Sequence, residues 1–439
     1  MANTGFRSTS LSPLAAAAVC LLSFSCVPAL CGQANAPTHG GAGAPIAIVG
    51  GKLLTVTHGV IENGVLILAG GKISAVGAAG SVKVPSGATI VDAKGMTVYP
   101  GLFDAETNLG LVEIGSDAMT TDTNEPSDEI MPHMHVYDAF HAETTHIPIA
   151  RYNGVTNAIV APGIRDSVSG QDMLIQLAGK DRDDMILDKD IALAVNFGAA
   201  ERRAVPKYPS TRMGLITQLR QSMIDAQEYK NRKDAAAKKP GSAFKTDLRY
   251  EAMLPYLAGQ RPVVIGVVEA HDVEPIMAVA QEFHLKVILN HLSHSQDVLD
   301  KLAAYKVPVI FSSIWELPDA GERFDAVYAT PGEMVKRGIQ VAIATDNAQK
   351  DRNLPYAAGY AVAYGMPYDA ALRAITLTPA EMFGVGDQFG SLDVGKFANV
   401  VISNGDPMDV RTDVKQVYID GEAMPMVTRQ TILRDAYSK

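Results

Sequence analysis

Apolar and polar positions along this chain follow two different periods, and the switch between them divides it into three parts. From Ile46 to Val98 short apolar runs are separated by glycine turns: Ile46-Ala-Ile-Val, Lys52-Leu-Leu-Thr-Val, Gly64-Val-Leu-Ile-Leu and Lys72-Ile-Ser-Ala-Val, punctuated by Gly50-Gly51, Asn63-Gly64 and Gly70-Gly71. Runs bounded by such turn-forming pairs predict short β-strands. The same texture returns in Gly390-Ser-Leu-Asp-Val-Gly-Lys396, Asn399-Val-Val-Ile-Ser and Val417-Tyr-Ile-Asp-Gly421. Two strand-rich ends therefore bracket a long middle.

In that middle, apolar runs at 97–104, 155–161, 173–177, 191–196, 262–269, 286–291, 307–312 and 339–346 predict strands. Helical periodicity follows several of them, most clearly at 213–238, 272–283, 295–305 and 331–337. Strands apolar on both faces, repeatedly followed by helices, predict an α/β fold with a parallel (β/α)8 TIM barrel. No helical period separates the third run from the fourth, so the third strand is the least well marked.

The first residues change the picture of the compartment. A single basic residue, Arg7, precedes an apolar stretch from Leu14 to Leu22 and small residues ending at Ala34-Asn35-Ala36. This predicts a secretory signal peptide over residues 1–36, followed by a Gly/Ala/Pro linker over 37–45. The stretch is shorter than the roughly 20 residues of a membrane span, and no later segment is long and uncharged enough for one. The predicted product is exported, to the periplasm or the medium. Cys20, Cys26 and Cys31 all lie in this leader, so the remaining chain has no disulfide and no thiol chemistry. Its candidate metal ligands are His, Asp, Glu, Asn and a modified Lys. Loss of Arg7 leaves 37 basic against 48 acidic residues, about −11. That balance argues against nucleic acid as a partner and suits a soluble exported protein.

Gly51-Lys-Leu, Gly71-Lys-Ile-Ser-Ala-Val-Gly77, Val98-Tyr-Pro-Gly-Leu-Phe-Asp104, Gly154-Val-Thr156, Ala344-Thr-Asp346, Ala374-Ile-Thr-Leu-Thr-Pro-Ala380 and Gly390-Ser-Leu-x-x-Gly-Lys396 stand in an order and context that resemble the amidohydrolase superfamily. Ser169-Gly-Gln171 and Ser210-Thr-Arg-Met-Gly214, leading into a helix ending Asp225-Ala-Gln-Glu-Tyr229, are similar to secreted members of its imidazolonepropionase-like branch. The resemblance implies the barrel over 99–386 and a composite β-sandwich built from 46–98 and 387–432. It also implies one or two divalent metals at the barrel mouth, held by His-x-His on strand 1, a carboxylated Lys or Glu on strand 4, His on strands 5 and 6, and Asp on strand 8.

Carried over position by position, that ligand set is depleted. Strand 1 reads Tyr99-Pro-Gly-Leu-Phe-Asp-Ala-Glu-Thr-Asn-Leu-Gly110, with Glu106 and Asn108 in the histidine positions. Residues two apart on a strand face the same way, so both should point into the mouth with Thr107 turned away. They are either hard oxygen ligands, better suited to Mg, Ca or Mn than to Zn, or polar pocket residues that bind no metal. After strand 4 the chain has Phe197-Gly-Ala-Ala200 and then Glu201, without a fixed register. Strand 5 has Gly266 where histidine is expected, with Glu269 and His271 displaced into the following loop. His291 ends strand 6 in a ligand position or as a hydrogen-bonding pocket residue, and His294 is a weaker candidate. Asp346 ends strand 8, where the family aspartate binds metal and moves the proton between attacking water and leaving nitrogen. A further group, His133, His135, His141 and His146 beside Asp117, Asp122, Glu125, Asp128 and Glu129, has spacing that permits a metal, but a lid over the pocket is the preferred reading.

Two functions follow. The first is metal-dependent hydrolysis of a carbon-nitrogen bond, other than a peptide bond, in a cyclic amide, N-acyl or dipeptide-like small molecule. It would use one divalent ion (Zn, Mn or Mg) held by Asp346, His291, Glu106 and Asn108, with Asp346 as the catalytic group. The second is a catalytically silent homologue without metal that binds a small molecule or a protein. Association into a homo-oligomer is compatible with either.

Overall fold

In the computed structural model the described residues are 43–197, 208–239, 243–292, 298–318 and 323–438. The predicted leader, most of the linker, Glu201 and His294 lie outside them. Five strands come first: β1 (Ile46–Leu54), β2 (Val60–Ala69), β3 (Lys72–Ala78), β4 (Thr89–Asp92) and β5 (Thr97–Pro100). Three more close the chain: β14 (Val400–Ser403), β15 (Val414–Ile419) and β16 (Glu422–Ala423). Both ends belong to one hydrogen-bonded sheet in the order β16-β15-β14-β5-β1-β2-β3, with β4 alongside β1. The β2–β3 hairpin turns on Gly70 and Gly71, whose φ of 58° and 75° are the positive values that the two central residues of a type I′ hairpin turn require.

This sheet curls back on itself. Ile73 N–H donates to Lys396 O (2.9 Å), Ala398 N–H to Gly71 O (2.9 Å) and Gly421 N–H to Ala398 O (3.0 Å), which draws β3 toward the β15–β16 turn. Alternation along β2 then becomes legible: Leu66 and Leu68 join Ile48, Val98, Val400 and Tyr418 in the enclosed core. Val65 and Ile67 turn to the other face, against Val82 and Val84.

The second sheet contains β6 (Leu102–Thr107), β7 (Val155–Val160), β8 (Val168–Gln176), β9 (Ile186–Phe197), β10 (Val263–Val267), β11 (Val287–Asn290), β12 (Val309–Phe311) and β13 (Val341–Ile343), neighbours in that order. Phe103, Ile159, Leu174, Ala192, Val264, Ile288, Ile310 and Ala342 fill its interior. Val309 and Phe311, on either side of Ile310, join instead the large cluster that contains the surrounding helices. The helices predicted from periodicity are observed at Arg212–Ala237, Val273–Glu282, Leu299–Tyr305 and Ala326–Lys336. This is a TIM-barrel-type arrangement.

It differs from the expected all-parallel barrel in one strand. β8 runs antiparallel to both β7 and β9, while the other pairs in the sheet are parallel. The reason is chain length: a parallel crossover needs about a dozen residues or more, and the 161–167 connection between β7 and β8 is too short to make one. Reversal at β8 returns β9 to the direction of β7. The missing helix beside the third strand was the trace of this reversal.

The first predicted barrel strand, 97–104, is also divided. Thr97–Pro100 pairs in the outer sheet and Leu102–Thr107 in the barrel. Gly101 is the crossing point, its N–H donating to Asn399 O (2.8 Å) while that of Leu102 donates to Gly154 O (2.9 Å). A Cβ on Gly101 would lie 2.1 Å from Thr156 Oγ1 and 2.5 Å from its Cγ2. Because Thr156 is buried, it cannot swing aside. Gly101→Ala should therefore destabilise the protein by about 1–3 kcal/mol through overpacking, read as a lower urea midpoint at unchanged slope. An unchanged midpoint would show that the sheets do not meet this closely.

Candidate active site at the barrel mouth

Three side chains converge from the ends of β6, β11 and the segment after β13. Glu106 Oε2 accepts from Asn290 Nδ2 at 2.6 Å, and Glu106 Oε1 lies 3.0 Å from His291 Nε2. His291 Nδ1 is 3.7 Å from Asp346 Oδ2. His291 and Asp346 both take the left-handed backbone conformation, with φ of 53° and 51°. For residues bearing a Cβ this costs about 1 kcal/mol or more and marks sites where surrounding structure dictates the conformation. One ligand atom from each of Glu106, His291 and Asp346 lies within 4.8 Å of the others, and among the described residues no second group of three acidic or imidazole side chains comes together in this way.

Their charges are interdependent. Burial opposes a charged imidazole, but the carboxylates of Glu106 and Asp346 outweigh it, and the pKa of His291 is pushed up to about 10. Burial would likewise raise Glu106, but His291 and Asn290 hold its pKa below the ordinary glutamate value. Asp346 is raised to about 7, first by its enclosed setting, then lowered by His291 and raised by the negative charges of Glu106 and Glu316. Its side chain retains 44% exposure, so water moderates these effects, and it is the member of the group most open to the mouth.

Behind the group, Asp104 closes the seam between the first and last barrel strands. Its Oδ1 accepts from the N–H of Thr345 (3.1 Å) and of Glu106 (3.3 Å), and its Oδ2 from Thr345 Oγ1 (2.6 Å). Asp346 N–H adds a bond to Glu106 O at 2.9 Å. Burial raises the Asp104 pKa to about 6 against the lowering effect of these donors and of Asp351. Asp351, whose pKa is raised well above the ordinary aspartate value by burial and by the neighbouring Asp104, lies on the other side of Thr345, whose Oγ1 is 3.2 Å from Asp351 Oδ1.

The structure separates the four sequence-predicted ligands. Glu106, His291 and Asp346 come together; Asn108 Oδ1 accepts the N–H of Ala348 at 2.8 Å and pins the loop after β13. Gly266 leaves strand 5 without a ligand. His271 faces Asp272 at 3.6 Å. The four loop histidines are dispersed: His135 Nδ1 pairs with Asp190 at 2.7 Å, and His146 Nε2 meets Glu113 O at 3.0 Å. Residues 130–135 run beside β8 through bridges to Val168 and Gln171. Sequence reasoning missed Asn290, Asp172, Thr345 and Asp351. The available signal for Asp172 was an acid inside an apolar run, and for Asn290 an amide preceding a strand-end histidine.

One imidazole nitrogen and two carboxylate oxygens suit a divalent ion such as Zn or Mn, with coordination positions left open. Binding through His291 would require loss of its proton. As it stands, each ring nitrogen faces its own carboxylate, Nε2 that of Glu106 at 3.0 Å and Nδ1 that of Asp346 at 3.7 Å.

The sequence profile described as the amidohydrolase family matches residues 266–424. Amidohydrolase tasK of Hapsidospora irregularis is 27% identical over 376 residues, 78% of this chain, which spans only 38% of that protein's length. An imidazolonepropionase of Symbiobacterium thermophilum is 27% identical over 413 residues, covering 81% of this chain and 90% of the relative. Among solved structures, an amidohydrolase from Thermotoga maritima MSB8 superposes with a TM-score of 0.81 at 27% identity, covering 88% of this chain and all of that one. Molinate hydrolase superposes at 0.52 with 16% identity over 88% of this chain and 95% of its own, a likeness of fold alone. The barrel, the converged mouth residues and these similarities agree: the chain is similar in sequence and fold to proteins of the amidohydrolase superfamily, and the related proteins so named are hydrolases.

Proposed function

We propose that this protein is a metal-dependent hydrolase of carbon-nitrogen bonds other than peptide bonds, acting on a small cyclic amide, N-acyl or dipeptide-like substrate. The observation that carries the reading is the convergence of Glu106, His291 and Asp346 on one point of the mouth, with the most exposed of the three poised near neutrality. One divalent ion fits this group, and when bound it would polarise the substrate carbonyl and make water acidic near pH 7. Asp346 has the pKa required to take a proton from attacking water and deliver it to the leaving nitrogen as the carbon-nitrogen bond breaks. Glu106 is held in place by Asn290, and His291 by Glu106. Asn108 supports the loop that carries Asp346 rather than the ion.

A second reading is supported by the same contacts. An imidazolium between two carboxylates satisfies all three groups without a metal, as a barrel that binds a small molecule or a protein without turnover would require. Export by the predicted leader is part of either proposal and rests on the pattern of residues 1–36.

Two measurements bear on the choice. Protein purified without chelator should carry one Zn or Mn ion per chain at the triad, and Glu106→Ala and Asp346→Asn should each weaken its binding by about 100-fold or more. Asp346→Asn should also abolish turnover of any amide found in a substrate panel. Absence of metal from the wild type after addition of Zn, Mn or Mg would favour the silent barrel. In the metal-free protein, His291 should titrate by NMR with a midpoint near 10, and Asp346→Asn should lower it. The sign follows from linkage: a base raised in the folded state contributes stability in full below its ordinary value near 6.5, and that contribution is lost as pH rises toward 10. Asp346, an acid also raised, to about 7, acts in the same sense in a lower window and costs stability as pH climbs from 3.8 to that value. A His291 midpoint at or below 6.5 would show that the carboxylates do not face it.

A further inference from the structure

The last helix of the described chain, Arg429–Tyr437, is laid down inside out. Residues four apart share one side of a helix, so 432 and 436, with 429, 433 and 437 beside them, gather Ile432, Leu433, Ala436 and Tyr437 around Arg429. A surface helix normally sets such a stripe against the core. Here Ile432 is 58%, Leu433 46% and Tyr437 84% exposed, and no residue of the helix is buried. The opposite side, with Gln430, Thr431 and Arg434, lines a hollow against Tyr152 and Tyr356. Thr431 N–H donates to Thr428 Oγ1 at 3.2 Å and Thr428 N–H to Thr431 Oγ1 at 2.9 Å, capping the first turn. Even capped, nine residues fall short of the roughly 12–15 at which an isolated helix becomes stable in water. The apolar stripe requires a surface that the body of the chain does not give it.

A surface that suits it lies close by. Tyr356 also lines a second hollow, whose wall includes Tyr360, Met408 and the exposed Val410 together with the carboxylates of Asp406 and Asp409. Asp406 Oδ1 accepts from the Tyr368 hydroxyl at 3.0 Å and from Met408 N–H at 2.9 Å, and no cation pairs with it among the described residues. Asp409 pairs with Arg411, itself exposed. On the helix, Arg434 pairs with its neighbour Asp435, and Arg429 has no acid partner among the described residues. A stripe that is apolar and cationic therefore stands near a hollow that is apolar and anionic. They do not meet within one chain, because the stripe lies on the side of the helix opposite to the one that faces Tyr356. Rotation about a two-fold axis brings each to the other's counterpart, since in such a contact residue i meets j and j meets i.

We infer that this face binds a second copy of the chain, the helix Arg429–Tyr437 of each protomer seating its apolar stripe in the hollow between Tyr356 and Val410 of its partner, with Arg429 against Asp406. At least nineteen residues line the two hollows and five more form the stripe, which matches the about 20–30 residues a side of a standard interface. A lipid surface would suit the stripe and Arg429 but would set Asp406 and Asp409 against lipid phosphates. A second copy accounts for both signs of charge.

The test is sedimentation velocity of the full chain over a range of concentrations, with hydrogen exchange of residues 429–437 followed over the same range. The wild type should reach twice the mass of one chain, and the helix amides should become protected as it does. Leu433→Asp on the helix and Val410→Asp in the hollow, both at exposed positions, should each weaken association by about tenfold or more. Mixing the two variants should restore association, because the mixed dimer keeps one contact in which both helix and hollow are unaltered. If either variant does not fold, Arg429→Glu, at the same exposed face, should weaken association in its place. A wild type that stays monomeric at every concentration overturns the proposal, and one that stays monomeric but sediments with anionic phospholipid vesicles gives the face to a membrane instead. A dimer of unchanged strength in these variants places the interface elsewhere and overturns it as well. None of these readouts depends on the triad or on turnover.

Discussion

A buried carboxylate at the barrel seam, that of Asp104, is the constraint on which the site depends. Strands β6 and β13 must meet for the barrel to close, yet their ladder is replaced at the mouth end by side-chain bonds. Asp104 gathers the N–H groups of Glu106 and Thr345 and the Thr345 hydroxyl. A fully desolvated carboxylate is expensive unless donors surround it, and these three donors meet that demand. Since Glu106 is itself one donor and Asp346 follows Thr345, the same bonds that close the seam set the separation of the two acids facing His291.

The interior polar groups form a connected set rather than a scatter of substitutions. Glu106 holds Asn290 and His291; Asn290 turns its oxygen toward Gly266; Asn196 does the same from β9. A histidine at position 266 would collide with this arrangement, so the glycine and the two asparagines are mutually required. Strong electrostatic coupling follows from shared burial, because a charge on any member changes the cost of charging its neighbours. Left-handed backbone at both His291 and Asp346 indicates that side-chain placement here outweighs local conformational preference.

The reversed third strand shows the same priority of closure over local regularity. With too little chain for a crossover helix, β8 enters antiparallel and keeps the barrel continuous. Its inward residues, Leu174 and Asp172, still occupy the interior, one as core and one beside Glu106. A polar group can therefore reach the site from a strand that carries no helix of its own.

The sequence by itself determined the two classes of periodicity, the strand-rich ends, the long helices and the strand-end positions of Glu106, His291 and Asp346. These are local properties, written in spacing and in the residues that bound each run. It could not determine the direction of β8, because an apolar strand reads the same either way and only the length of its connection excludes the parallel course. Nor could it show that residues 97–104 serve two sheets, since the reason lies in the contact between Gly101 and Thr156. Asn108 illustrates the limit most directly. Its position in the motif allowed a ligand, but the Ala348 N–H, brought near by the closing of the barrel, engages its oxygen. Asp104 with Thr345 and Asp351, and Gly266 with Asn196 and Asn290, are likewise pairings across distant stretches of chain, which tertiary structure alone decides because their energies depend on shared burial rather than on neighbours in sequence.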